Sequence, residues 1–131
     1  MKTNIVRKNP MQVPSPVGKY SHITIIPKDA TMYAFSGQIG GVDQDDQLPA
    51  DLIEQTTNTF RNIEALLATE GLDASHVVKV NIWATEEIDW HHFYQQWEVM
   101  FGHSYPSMTI AYVSALGLPD IKIEIELWAA K

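Results

Sequence analysis

Between Ile121 and Trp128 the chain alternates without a break. Ile121, Ile123, Ile125 and Leu127 are apolar, and Lys122, Glu124, Glu126 and Trp128 stand between them. Successive side chains of a β-strand point to opposite faces, so this segment predicts a strand with one apolar face. A helix cannot sort a period of two. Whatever else the chain forms, it must supply a layer that covers that face.

Two helical patterns can provide the cover. Ile53, Thr56, Phe60, Ile63 and Leu67 recur at steps of three and four, predicting a helix from about Ala50 to Glu70 that stops at Gly71. Trp90, Phe93, Trp97 and Phe101 share one face of a second helix, with Tyr94 beside them, Thr85 to Asp89 before it and Gly102 after it. Four more strands are expected. Val77 to Ala84 places Val78, Val80 and Ile82 opposite Lys79, Asn81 and Trp83, and Met108 to Ser114 follows later. Ser21 to Ile26 and Met32 to Ser36, separated by Pro27-Lys28-Asp29-Ala30, predict a hairpin. Prolines 10, 14 and 16 keep the lead-in extended, and Gly37, Gly40 and Gly41 with Asp43 to Pro49 predict a loop.

The resulting order is strand, strand, helix, strand, helix, strand, strand. It implies an α+β two-layer sandwich, a mixed sheet with both helices on one face, within a single domain spanning residues 1–131. The other sheet face would carry Lys79, Asn81, Trp83, Tyr112 and Trp128. Self-association is the simplest way to cover such a mixture of aromatic and polar groups.

Composition removes several classes of function. The net charge is −7, with nine lysines and arginines, so the basic stripe that a nucleic-acid partner requires is missing. The chain has no cysteine, hence no disulfide framework and no thiolate site. The N-terminal residues do not read as a signal peptide, and no apolar run approaches a membrane span; a cytoplasmic protein without a membrane partner is expected. The five histidines lack the i, i+4 spacing of a helical zinc site, and Gly37 to Gly41 lacks the ending of a phosphate loop. No metal and no cofactor are expected.

Several short segments occur in a telling order: Gly18-Lys19-Tyr20, Phe35-Ser36-Gly37-Gln38-Ile39, Asp73 to Trp83, and Tyr105-Pro106-Ser107-Met108-Thr109-Ile110 with Leu118 to Glu126. Together they resemble the motifs of the RidA (YjgF) family over nearly the whole chain. The resemblance implies a chorismate-mutase-like fold and a homotrimer with small-molecule clefts between subunits. It also implies cofactor-free hydrolysis of 2-imino or enamine acids. Carried over by position, Tyr20 walls the cleft, Ser36 and Gly37 offer hydrogen bonds to the ligand, and Glu124 directs the attacking water. Three positions depart from the pattern. Met108 stands where the carboxylate-gripping arginine belongs, Ile110 where cysteine is common, and Tyr94 where asparagine is typical.

The first departure is costly. Removing one partner of a buried charge pair costs about 2–5 kcal/mol, which is roughly thirty-fold to several-thousand-fold in affinity for a carboxylate. A thioether does not imitate a bidentate guanidinium. Only two arginines exist, Arg7 and Arg61, and the lysines near the motifs are Lys19 and Lys122. Two functions of different class therefore stand. One is a deaminase or hydrolase acting on an enamine or imine anchored in another way, with Met108 and Ile110 flanking Glu124 in the cleft. The other is a non-catalytic binding or regulatory trimer.

Overall fold

In the computed structural model, which describes residues 4–41 and 47–131, the alternating segment forms strand β6 (Ile123–Ala130). Ile123, Ile125, Leu127 and Ala129 are buried, as the alternation requires. The other elements are β1 (Val6–Lys8), β2 (Ile23–Ile25), β3 (Met32–Gln38), α1 (Leu52–Thr69), β4 (Val77–Ala84), α2 (Trp90–Phe101) and β5 (Ser107–Tyr112). A four-stranded sheet has the order β3-β6-β4-β5, with β4 and β5 parallel and the other pairs antiparallel. The expected loop over Asp43 to Pro49 falls largely on residues 42–46, outside the described residues.

Both helices pack on the apolar face of this mixed sheet, as expected for α+β layering. Helix α1 buries Leu52, Phe60, Ile63 and Leu67; Ile53, expected in that stripe, is more than one-third exposed because Leu52 takes its place. The helix ends where Gly71 adopts φ +67, a conformation that costs a residue with a Cβ. Helix α2 starts at Asp89, whose side chain accepts a hydrogen bond from the His92 backbone at 3.1 Å. Its Phe93 and Trp97 rings stack with centroids 5.6 Å apart, and Phe60 of α1 meets Phe93 edge-on at 5.3 Å. These aromatic contacts join the two helices into one layer.

Two expectations fail. The hairpin predicted between residues 21–26 and 32–36 does not form. Strand β2 pairs with β1 in a separate two-stranded ribbon, while β3 pairs with β6. Short apolar runs and a turn signal set local preference, but the partner of a strand is decided by distant contacts. Tyr112 is the second failure. It lies in register with Ala84, and its hydroxyl accepts from the Ile88 backbone at 3.1 Å, so it belongs to the helix side. The β5 residues on the uncovered face are instead Ser107, Thr109 and Ala111, level with Lys79, Asn81 and Trp83.

Arg7 fastens the ribbon to the body. Its guanidinium donates to the carbonyls of Ala74 (3.1 Å), Val77 (2.6 Å) and Ser104, and to the Ser104 hydroxyl at 3.2 Å. It also lies 5.9 Å from the Phe101 ring centroid. Burial lowers its pKa to about 10, so it stays charged at neutral pH. An Arg7→Met substitution keeps the apolar stem and removes these donors. We expect a loss of about 1–3 kcal/mol, read as a lower midpoint in urea denaturation with little change in slope.

Candidate functional site

The residues singled out from the sequence fall into two groups, and within one protomer the sheet stands between them. The first group forms around the loop that joins β1 to β2. Trp97 Nε1 donates to the Lys19 carbonyl at 2.7 Å, and the Lys19 backbone N–H donates to the Tyr94 hydroxyl at 3.4 Å. Ser21 binds the segment before β5 through its N–H to the Pro106 carbonyl (3.2 Å) and its hydroxyl to the Tyr105 carbonyl (2.7 Å). Residues 18–21 are thus wedged between α2 and the start of β5. Gly18 is required here, since a Cβ would fall 2.4 Å from the Tyr94 hydroxyl. Tyr20 lies edge-on to His22 with centroids 5.7 Å apart, and its hydroxyl accepts from the Val17 backbone at 3.3 Å.

Lys19 brings a cation to this wall, already paired. Its ammonium binds the Glu98 carboxylate and lies 5.8 Å from the Tyr94 ring centroid. The hydrogen bond to Glu98 raises the Lys19 pKa, and the same contact holds the Glu98 carboxyl below its usual value. Both side chains are well exposed, so solvent screens the pair. Met108 and Ile110 lie in register with the buried Val80 and Ile82 and pack, half-buried, against the aromatic core.

The second group is on the opposite face. Between the pairs Phe35–Leu127 and Gln38–Ile125, Ser36 and Gly37 oppose the single residue Glu126, which makes a β-bulge. The Glu124 side chain occupies the space over Gly37, where a Cβ would fall 2.1 Å from its Oε2. Glu124 is level with Trp83 on β4, and Trp83 is level with Ala111 on β5. Glu124 therefore shares a face with Thr109 and Ala111, and within one chain Met108 and Ile110 lie on the other face of the sheet. Asn81 Nδ2 donates to Glu126 Oε1 at 2.9 Å, and Lys79 Nζ to Thr109 Oγ1 at 2.8 Å, so this face is polar around Glu124.

Three amide side chains of α1 hold the second group in place. Gln55, fully buried, donates to the carbonyls of Pro49 (2.7 Å) and Asp120 (3.0 Å) and accepts from the Lys122 N–H at 2.9 Å. Asn58 donates to the Gly40 carbonyl at 3.2 Å, and Asn62 to those of Ile39 and Gly41 at 3.0 and 2.8 Å. Gly40 lies against the Gln55 backbone, where a Cβ would come within 2.5 Å. The segments entering β6 and leaving β3 are thereby tied to one helix. The Lys122 ammonium is 3.2 Å from Glu86 rather than free to serve the site. Sequence reasoning missed Gln55, Asn58, Asn62 and the role of Trp97. A polar residue at a buried helical step was the one signal available for Gln55.

Among the described residues, no group of three or more His, Cys, Asp or Glu side chains could hold a metal ion, and no helix is long and apolar enough to cross a membrane. Residues 11–131 match the family model described as Endoribonuclease L-PSP. The chain is 30% identical over 132 residues to a RutC family protein of Pyrococcus horikoshii, an alignment covering 100% of this chain and 99% of that protein. It is 28% identical over 104 residues to TdcF of Escherichia coli K12, a protein named for reactive intermediate deaminase activity, with 77% and 80% covered. In fold it is similar to YyfB, a member of the conserved Rid protein family from Yersinia pestis, with a TM-score of 0.84 at 23% identity and coverage of 98% and 100%. It is also similar to Escherichia coli TdcF with bound serine, with a TM-score of 0.68 at 25% identity and coverage of 96% and 98%. The motifs, the α+β architecture and the match over residues 11–131 agree: the chain belongs to the Endoribonuclease L-PSP family, also known as RidA or YjgF.

Proposed function

We propose that this protein is a homotrimer whose clefts, between subunits, bind a small enamine, imine or amino-acid-sized metabolite. Its ligand is less anionic than the 2-imino acids of arginine-bearing relatives. The observation that carries this reading is Met108, an apolar, half-buried side chain with Ile110 two residues on, at the position where the resemblance places the arginine. Neither arginine of the chain replaces it: Arg7 is spent on backbone carbonyls, and Arg61 is exposed on α1. Lys19, the cation of the Tyr20–Tyr94 wall, is already neutralised by Glu98.

The same geometry supports self-assembly. The uncovered sheet face carries Trp83 and Trp128, the latter 43% exposed, beside Asn81, Glu124 and Glu126. Burying it against neighbouring subunits removes aromatic surface from water. It also lets the Ser36–Gly37–Glu124 group of one protomer face the Tyr20–Tyr94–Met108 group of the next. In such a cleft Glu124 positions a water against the imine carbon, and the Gly37 backbone, lacking a Cβ, gives close access. TdcF with bound serine supports a ligand of amino-acid size. The ribonuclease label of the family finds no support in a chain of net charge −7 with nine basic residues.

The wild-type protein should not accelerate ammonia and pyruvate release from freshly generated 2-iminopropionate, while Met108→Arg should gain thirty-fold or more, on the order of the charge-pair cost. A wild-type rate equal to that of an arginine-bearing relative would refute this role for Met108. Silence in both proteins would favour the binding trimer without catalysis.

Sedimentation velocity should give a trimer at micromolar concentration, shifted toward monomer by Trp128→Asp on the open face. A compact wild-type monomer would rule out the intersubunit cleft. In the active Met108→Arg background, Gly37→Ala should lower turnover about ten-fold or more, because the new methyl displaces the Glu124 carboxylate. Urea midpoints within about 1 kcal/mol of the parent would separate that effect from unfolding.

A further inference from the structure

A cavity of about 630 Å³ opens on the helix layer, and none of the candidate site residues lines it. It lies where the last turns of α1 and α2 approach residues 72–75, the segment that leads into β4. Its volume falls within the roughly 300–1,000 Å³ of sites that take small organic molecules. Leu67, Leu72 and Phe101, all buried, and the half-buried Met100 give it an apolar floor. Val99 stands at the rim, 85% exposed. The lining is complete within one chain, so the cavity does not depend on the self-assembly put forward above.

The polar groups left open in this lining accept hydrogen bonds. Arg7 reaches the wall, but its two terminal nitrogens are spent on the carbonyls of Ala74, Val77 and Ser104 and on the Ser104 hydroxyl. Its remaining N–H, at Nε, is buried out of reach of solvent. Arg7 therefore has no donor free for an anion. Asp73 Oδ1 accepts from the Ser75 hydroxyl and from the Ser75 N–H at 2.9 Å, contacts that hold its carboxyl below the usual value. His76 Nδ1 is 3.3 Å from that oxygen, but it already accepts the Asp73 N–H at 3.0 Å. The Lys131 ammonium stands outside the lining and donates to the Gly71 carbonyl at 3.1 Å. Among the described residues Glu64, the other carboxylate of the wall, makes no ion pair. Neither helix has a basic residue in its last turn, so both carbonyl ends add to the negative field.

We propose that this cavity is a second small-molecule site, which takes an organic cation with an apolar body, of the class of a primary alkylamine. The alkyl chain leaves water against Leu67, Leu72, Met100 and Phe101. The ammonium donates to Glu64 and to the unused oxygen of Asp73, charge-assisted bonds that a neutral head group cannot match. Met100 adapts the floor to the chain, because a thioether side chain has several rotatable bonds. A carboxylate of the same shape meets two negative charges and finds no donor free on Arg7.

Hexylamine, hexanoate and hexanol share a chain and differ in charge, and each can be titrated into the isotope-labelled protein and followed by NMR. Hexylamine should bind saturably, about ten-fold tighter than either of the others, with amide shifts centred on Ala68, Ser75 and Val99. Glu64→Gln, on the exposed side of α1, should weaken hexylamine several-fold and leave hexanol unchanged. Asp73→Asn keeps a capping acceptor and should do the same. Ala68→Trp, also at an exposed position, should fill the cavity and abolish binding of both. Equal affinity for hexanoate, shifts centred on residues 18–21 or on Glu124, or no saturable binding below about 10 mM overturns the proposal. Hexylamine binding that survives Ala68→Trp overturns it as well.

Discussion

Strand β6 is hydrogen-bonded along both edges, and its parity decides where every candidate group can be. With Ile123, Ile125 and Leu127 committed to the helices, Glu124 and Glu126 have no choice of face. The register then passes across β4 to β5 and sends Met108 and Ile110 to the helix side. A slip of one residue would exchange the two sets and bury carboxylates in an aromatic core, a substitution no plausible repacking offsets. The separation of the two groups of candidate residues within one chain is thus a consequence of hydrophobic burial.

The Ser36–Gly37–Glu124 unit and the Met108–Ile110 pair lie on different faces of the sheet. The bulge at Ser36–Gly37, the space over Gly37 and the Glu124 side chain form a unit backed by Gln55, Asn58 and Asn62. All three amides bind main-chain atoms. A substitution at Met108 or Ile110 would therefore leave the bulge undisturbed, because the two share no hydrogen bond. Apolar side chains suit a half-buried position against aromatic rings, where an unpaired guanidinium would be costly.

Much of this was legible in the sequence, for reasons that differ by element. The alternation of β6 and β4 and the aromatic face of α2 are periodic signals tied to burial, and they located the core correctly. The bulge was readable only as a Ser-Gly pair within a family motif. What escaped was long-range. The run at Ile23 looks like the partner of Met32 to Ser36 because they are close in sequence, yet it pairs with Val6 to Lys8. Tyr112 was assigned to the wrong face although Met108 and Ile110 share its parity, since a strand that is half exposed on both sides gives no burial signal of its own. Arg7 and Gln55 act through backbone carbonyls, and carbonyls leave no trace in a sequence.

Trp97 links two parts of the protein that would otherwise be described separately. Its ring is fully buried between Phe93 and Phe101, and its indole N–H is spent on the Lys19 carbonyl. Withdrawing the loop leaves a buried donor without an acceptor, so the resting position of residues 18–21 is registered inside the hydrophobic core. Core and loop form one mechanical unit. Drift at α2 positions would then move the loop at residues 18–21 with no change to a single residue of the loop itself.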